Sequence, residues 1–246
     1  MPDTRLRIQS PPAVILVGGL GTRLGALACD GPKPLVPVAG RPFLEHLVRW
    51  LVRGGVRRIV LAVGHRAERV EEHFGDGAAF GAEIVYSRED EPLGTGGALR
   101  QAAARTDAWP VLALNGDSFA AVDLGAMLSA HVLTQARLTV ALTEVAECGR
   151  FGSVRPGPDG AILRFAEKSS EGPGLVSAGV YLLERDVVAM IPPGRSRLEH
   201  DVFPRLAGEG ACGFVARGYF VDIGLPEDYR RLADHPEPFL AALAAV

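Results

Sequence analysis

Cysteine is scarce in this chain, and a basic excess, a long apolar run and a low-complexity stretch are all missing. The three cysteines, Cys29, Cys148 and Cys212, stand far apart. An odd number without a C-x-x-C pair excludes a disulfide framework and points to a reducing compartment, the cytoplasm. Lys and Arg number 26 against 29 Asp and Glu, giving a net charge of −3. Nucleic-acid binding usually needs a basic surplus, so no nucleic-acid partner is expected, although a local basic pocket for phosphates is allowed. The polar stretch 1–12 lacks the apolar core of a signal peptide. No segment approaches the roughly 18 apolar residues of a membrane helix, so no membrane partner is expected. The histidines, at 46, 65, 73, 131, 200 and 235, show no H-E-x-x-H or other zinc spacing and read as solvated or capping groups.

What is present alternates between strands and helices. An apolar strand over 13–17 stops at Gly18-Gly19, as a central parallel strand would. Pro42 suits the first position of a helix whose apolar residues recur at Leu44, Leu47, Val48 and Leu51 and which ends at Gly54-Gly55. Strands follow over 56–63, 83–87 and 111–114, with helices over 67–74 and 95–104. This pattern predicts an α/β fold: a Rossmann-like, mixed but mainly parallel sheet with helices on both faces. Beyond residue 130 strands dominate, over 137–144, 151–154, 161–165, 175–183 and 219–223. Asp159-Gly160 marks a hairpin. These predict a small β-rich insertion. Ser196 to Glu199 reads as a capping box opening a helix over 196–206, and a last helix covers 226–232. In the tail, Phe239, Leu240, Leu243 and Val246 keep near-helical spacing, for packing on the core or on a partner subunit. One domain over 1–246 accounts for the whole.

Chemistry concentrates at strand ends. The loop Gly18-Gly19-Leu20-Gly21-Thr22-Arg23-Leu24, followed by Pro32-Lys33-Pro34, combines backbone N–H groups free to approach a phosphate with two cations. Leu24 stands where a dinucleotide fingerprint needs Gly or Ala, and no P-loop is present, which disfavours a nicotinamide oxidoreductase. Asn115-Gly116-Asp117 ends an apolar strand, and so does Asp222-Ile223-Gly224. Each Asp alone more often caps or turns the chain. Two of them, with phosphate oxygens and water, suit Mg²⁺. Glu167-Lys168 by itself reads as a surface pair.

Taken in order, G-G-x-G-T-R-L, P-K-P, Gly94-Thr95-Gly96-Gly97, N-G-D, Phe165-x-Glu167-Lys168 and D-I-G resemble the sugar-1-phosphate nucleotidyltransferases over about 13–232. Glu91 to Gly97, Leu198 to Pro204, Gly218 to Gly224 and Pro226 to Tyr229 look most like D-glycero-D-manno-heptose-1-phosphate guanylyltransferases. N-acetylmuramate-1-phosphate uridylyltransferases and mannose-1-phosphate guanylyltransferases share much of this, and a non-catalytic regulatory homologue is the alternative of another class. The resemblance implies a nucleotide-binding half over 13–130, a sugar-phosphate-binding half over 131–233 and a tail over 234–246. It implies transfer of a nucleoside monophosphate from an NTP, with GTP the first choice, to a sugar 1-phosphate. Arg23, Lys33 and Asp117 are the implied catalytic groups. Leu16, Gly18, Gly19, Gly21, Thr22, Arg23, Glu89, Gly94 and Thr95 would hold the nucleotide. Asn115, Gly152, Glu167, Lys168, Ser177 and Gly179 would hold the sugar phosphate, with Ser177 where many members carry Asn. Asp117 and Asp222 would bind Mg²⁺. A homo-oligomer is possible. The choice of guanine rests on Glu89, whose carboxylate could accept from N1–H and N2–H₂ together.

Overall fold

In a computed structural model, residues 10–19, 33–166 and 172–246 are described. The core is a seven-stranded sheet. Its strands are β1 (Ala13–Leu16), β4 (Arg58–Val63), β5 (Glu83–Arg88), β6 (Val111–Asn115), β8 (Leu138–Val145), β11 (Gly174–Leu183) and β12 (Ala211–Val215), in the order β12-β8-β11-β6-β1-β4-β5. Four of its six neighbouring pairs are parallel, and β11 runs against both of its neighbours. Three two-stranded ribbons complete the β structure. Residues Pro37–Val38 (β2) pair with Arg41–Pro42 (β3), Val154–Pro156 (β9) with Ile162–Phe165 (β10), and Ser118–Ala120 (β7) with Phe220–Asp222 (β13).

Alternation along the strands sends side chains to two cores. Ala13, Ile15, Ile59, Leu61, Leu112 and Leu114 pack with helices α1 (Phe43–Arg53), α2 (Ala67–Phe74), α4 (Leu124–Leu133) and the C-terminal α6 (Pro226–Asp234) and α7 (Glu237–Ala245). Val14, Val60, Ala62, Val111 and Ala113 pack on the other face with α3 (Gly94–Ala103), α5 (Arg185–Ala189) and the 198–206 segment. The sheet has helices on both faces, as its sequence predicts. Phe239 of the tail is fully buried, stacks on Phe43 at 5.7 Å and meets Phe119 edge-on at 5.3 Å. The tail therefore packs on its own core.

Several expectations need correction. Pro42 is the cap of α1 rather than its first residue. No single helix covers 196–206: a π-helical turn, Leu198–Val202, runs into a 3₁₀ turn, Phe203–Leu206. Ser196 caps nothing, and the Arg197 N–H donates to the Asp201 carboxylate at 2.7 Å. The β-rich insertion shrinks to the β9–β10 ribbon, turned at Asp159-Gly160, because β8, β11 and β12 all join the main sheet. His46 and His131 are buried rather than solvated, bonded to the Val38 carbonyl and the Thr139 hydroxyl. Helices α4 and α5 and strands β7 and β12 were not anticipated. For α4 the signal was Asp123, whose carboxylate accepts from the Ala126 N–H at 2.9 Å. Among the described residues no helix is long and apolar enough to cross a membrane.

Truncating a wholly buried aromatic side chain removes transfer energy and leaves a cavity. Phe239→Ala should cost about 3–5 kcal/mol of unfolding free energy, measured by urea titration. A cost below about 1 kcal/mol would show that the tail does not contribute to the core.

Candidate active site

Strands β1, β4, β5 and β6 all end on one side of the sheet, and the chemistry-bearing residues collect there. Beyond β1 the chain stays tied to the sheet, with the Val17 N–H donating to the Ala62 carbonyl at 2.8 Å. Gly18 follows. A Cβ there would stand 2.1 Å from Glu89 Oε1, so only glycine leaves room for that carboxylate. Glu89 itself is held at the end of β5, where its N–H donates to the Val63 carbonyl at 2.8 Å and its Oε2 accepts from the Leu93 N–H at 2.9 Å. Burial pushes its carboxyl above the usual glutamate range, and the Leu93 N–H partly opposes this. The sequence thus delivers a half-buried acceptor beside a glycine loop. Leu16 ends β1, and its carbonyl accepts from the Gly116 N–H at 2.9 Å. A Cβ on Gly116 would lie 2.7 Å from that carbonyl oxygen. The glycine of N-G-D therefore lets β1 and the β6 turn close up.

Next to this turn the two aspartates meet. The β7–β13 ribbon sets Asp222 opposite Ser118, and the Ile223 N–H donates to the Asp117 carbonyl at 2.9 Å. Lys33, almost fully buried, donates to Asp117 Oδ2 at 2.6 Å. Asp222 Oδ1 accepts from the Gly224 N–H at 2.5 Å. Burial and the neighbouring Asp117 charge push the Asp222 carboxyl up, against the pull of the Gly224 N–H, Lys33 and Arg150. Two oxygen-donor carboxylates that repel each other fit a hard divalent cation, which would relieve that repulsion. Among the described residues no third His, Cys, Asp or Glu joins them. A cation here would fill its shell from phosphate oxygens and water.

On the β11 side, Gly179 adopts φ +75°, a left-handed conformation that favours glycine. A Cβ there would lie 2.6 Å from Ser118 Oγ and 2.9 Å from Asn115 Nδ2. Ser177, one of the anticipated sugar-side residues, donates to the Tyr181 hydroxyl at 3.1 Å. Asn115 Oδ1 and Ser118 Oγ are buried without hydrogen-bond partners. Buried orphan acceptors are costly unless a ligand meets them. Gly152, with φ +80°, closes a turn onto the Cys148 carbonyl.

The glycines of 94–97 have a second duty. Cβ atoms on Gly94, Gly96 and Gly97 would stand 2.5, 2.7 and 2.2 Å from Ser196 O, Ser196 Oγ and Gly194 O. The start of α3 therefore rests directly on the 194–196 segment. The Thr95 hydroxyl is engaged with Leu198 and Glu199 rather than projecting alone. Gly21, Thr22, Arg23, Glu167 and Lys168 lie outside the described residues; Gly19 is described, with open space where a Cβ would sit.

Sequence reading missed Arg150. It pairs with the buried Asp228 at 2.7 Å, stacks over Phe151 at 5.1 Å and acts electrostatically on Asp222. Its partner in the P-E-D-Y stretch was the available signal. Tyr181 and Glu199, at the heart of the polar cluster, were missed as well.

A model of the nucleotidyl transferase family matches residues 12–237. The chain belongs to that family. A D-glycero-alpha-D-manno-heptose 1-phosphate guanylyltransferase from Aneurinibacillus thermoaerophilus is 36% identical over 221 residues, covering 89% of this chain and 95% of that protein. A mannose-1-phosphate guanylyltransferase from Mycobacterium tuberculosis is 38% identical over 224 residues, and the chain spans only 62% of its length. Crystal structures of HddC from Yersinia pseudotuberculosis, one of them complexed with GMP-PN, superpose with TM-scores of 0.81 and 0.80 at 32% identity, over 91% of this chain and 98% of theirs. Nucleotidyl transferases of this family generally use a divalent metal, and the Asp117–Asp222 pair is chemically suited to one.

Glu89 is the flexible party in its contact with Gly18. Gly18→Ala should therefore cost less than about 1.5 kcal/mol of stability but displace the Glu89 carboxylate and free the Leu93 amide. Hydrogen exchange at Leu93 should accelerate about tenfold or more, as loss of one buried hydrogen bond allows. Unchanged exchange would mean that the carboxylate accommodates the methyl without moving.

Proposed function

We propose that this nucleotidyl transferase moves GMP from GTP to D-glycero-D-manno-heptose 1-phosphate, releasing pyrophosphate. The observation that carries the reading is the meeting of Asp117, Asp222 and Lys33 at the sheet edge. It is joined to a near full-length match to heptose 1-phosphate guanylyltransferases. Mannose 1-phosphate is the second reading, favoured by the 38% identity to a mannose-1-phosphate guanylyltransferase.

In the proposed reaction an oxygen of the sugar phosphate attacks the α-phosphorus. One P–O bond forms as the bond to the bridging oxygen of the departing pyrophosphate breaks. The attacking group is already an anion, so no general base is required. Catalysis rests on alignment and charge neutralisation. Mg²⁺ held by Asp117 and Asp222 would supply Lewis-acid neutralisation of the phosphate charge. Lys33 adds a fixed, nearly buried cation beside Asp117, where its field is weakly screened. In this reading Arg23 stabilises the triphosphate and Lys168 the sugar phosphate. Gly19, Gly21, Thr22 and Leu16 line the nucleotide, Gly94 and Thr95 bound it, and Glu167 accepts from sugar hydroxyls. The orphan Asn115 Oδ1 supports a sugar-facing role for Asn115, beside Ser177, Gly179 and Gly152.

The test is pyrophosphate release with Mg²⁺, crossing GTP, UTP, ATP, CTP and dTTP with heptose, mannose, glucose and N-acetylmuramic acid 1-phosphates. GTP with the heptose phosphate should dominate; another pair would replace the substrate assignment. Asp117→Ala should retain its fold by circular dichroism and lose at least about 10²–10³ in rate, the usual scale for one preorganised charged group. Full activity in a folded variant would remove Asp117 from the metal site.

Glu89 makes base recognition pH-dependent. Only its ionised form presents both oxygens as acceptors to adjacent donors, and its carboxyl titrates above the ordinary 4.5. GTP affinity should therefore fall as pH drops through this raised titration, at a higher pH than an ordinary glutamate would give, while UTP affinity changes less. Glu89→Gln should flatten the profile and weaken GTP about tenfold. An unchanged GTP-to-UTP preference would exclude Glu89 from base selection.

A further inference from the structure

Glu199 lies in the first turn of the π-helical segment and reads in the sequence as half of a capping box, yet it caps nothing. Its Oε2 accepts from the Thr95 hydroxyl at 3.1 Å, and Thr95 Oγ1 accepts from the Leu198 N–H at 3.0 Å. Its Oε1 accepts from the Tyr181 hydroxyl at 3.4 Å, the longest of these links. Tyr181 is wholly buried in β11. Its phenol oxygen accepts from Ser177 Oγ at 3.1 Å and from the Asn115 side chain. A phenol offers one proton and two lone pairs, so with both lone pairs taken its proton can go only to Glu199. Burial and the Glu199 charge hold that phenol far above its ordinary range, so it stays a neutral donor. Ser177 Oγ in turn accepts from the Gly179 N–H at 3.3 Å.

One unbroken chain of hydrogen bonds therefore runs from Gly179, Ser177 and Asn115 through Tyr181 and Glu199 to Thr95. Its ends are the residues read as sugar-side and nucleotide-side. Among the described residues no Lys, Arg or His pairs with Glu199. A half-buried carboxylate that meets two hydroxyls and, among the described residues, no cation is an expensive arrangement if stability alone is served.

We propose that Glu199 is a positioning residue that couples the two substrate subsites, fixing Ser177 through Tyr181 on one side and Thr95 on the other. This rests on the reading of this face as a guanylyltransferase site. With the intact chain and Mg²⁺, steady-state kinetics would give KM for GTP and for heptose 1-phosphate, alongside the thermal midpoint. Tyr181→Phe, which keeps the buried ring, should raise KM for the sugar phosphate about five- to tenfold, the scale of one lost internal hydrogen bond, and leave KM for GTP within about twofold. Glu199→Ala should raise both by about that factor. Glu199→Gln, which keeps the shape, should raise both by less. The double variant should raise the sugar KM no further than Glu199→Ala alone, because both act through one chain. A lowered midpoint with both KM values unchanged would assign Glu199 a structural role and overturn the proposal, and so would additive effects in the double variant. Activity in the wild type with unchanged variants sinks this inference alone. A wild type that neither binds GTP nor turns over any sugar phosphate sinks the functional reading, and this one with it.

Discussion

The antiparallel pairing of β7 with β13 is the contact on which the site depends. It joins a short segment just after the sheet's fourth parallel strand to one a hundred residues later, and so brings Asp117 and Asp222 together. Burial raises the cost of ionising Asp222, and the neighbouring Asp117 charge adds to it. Lys33, bonded to Asp117, and Arg150 offset only part of that cost. The neighbourhood is left short of positive charge at Asp222, and a divalent cation carries charge of the required sign and hardness. The surrounding glycines follow from the same crowding. Gly116 lets the turn approach the Leu16 carbonyl, and Gly224 lets its own N–H reach Asp222.

Much of this was legible in the sequence. The strands 13–17, 56–63 and 111–114 appear close to their expected bounds, because central parallel strands are continuous apolar runs stopped by glycine or a polar residue. The hairpin at Asp159-Gly160 is present for the reason the dipeptide gives. What escaped reading had weaker local signals. Helix α4, with the sequence LGAMLSAHVL, is apolar on nearly every side, so no amphipathic period announces it. Strand β12 contains Cys212-Gly213 and pairs at the sheet edge, where neither propensity nor alternation is strong. Ser196-x-x-Glu199 satisfies the pattern of a capping box, but the Glu199 carboxylate is taken by Thr95, about a hundred residues away in sequence, and Ser196 Oγ is buried without a partner. Local patterns cannot reveal such competition.

The candidate site shows the same division. Gly18, Asp117 and Asp222 could be singled out because each sits at a strand end or in a glycine-rich turn, Lys33 because it stands in Pro-Lys-Pro beside the glycine loop, and Glu89 through the family resemblance. Their mutual distances could not. Arg150, Tyr181 and Glu199 gave no isolated signal, since their roles come from partners brought in by tertiary packing: Asp228 for Arg150, Ser177 and Asn115 for Tyr181, and Thr95 for Glu199. The polar interior around Tyr181 is costly unless every member finds a partner. The pairing there is nearly complete, with Asn115 Oδ1 and Ser118 Oγ as the buried exceptions.

Strand β11 runs against its neighbours and overhangs one of them. Its residues 180–183 pair with β6, whereas 174–177 pair with β8 and extend past the end of β6. The edge beyond β6 is therefore bordered by a stiff, hydrogen-bonded wall rather than a loop. Along such a wall the faces alternate, so Val176 is buried and Leu175 and Ser177 are partly open. Under the proposed function this wall borders the sugar, and sugar preference would change by exchanging side chains at alternate positions of a fixed backbone. Under the same proposal the nucleotide side, with its glycines at 18 and 94, would instead have to move backbone to accommodate a different base.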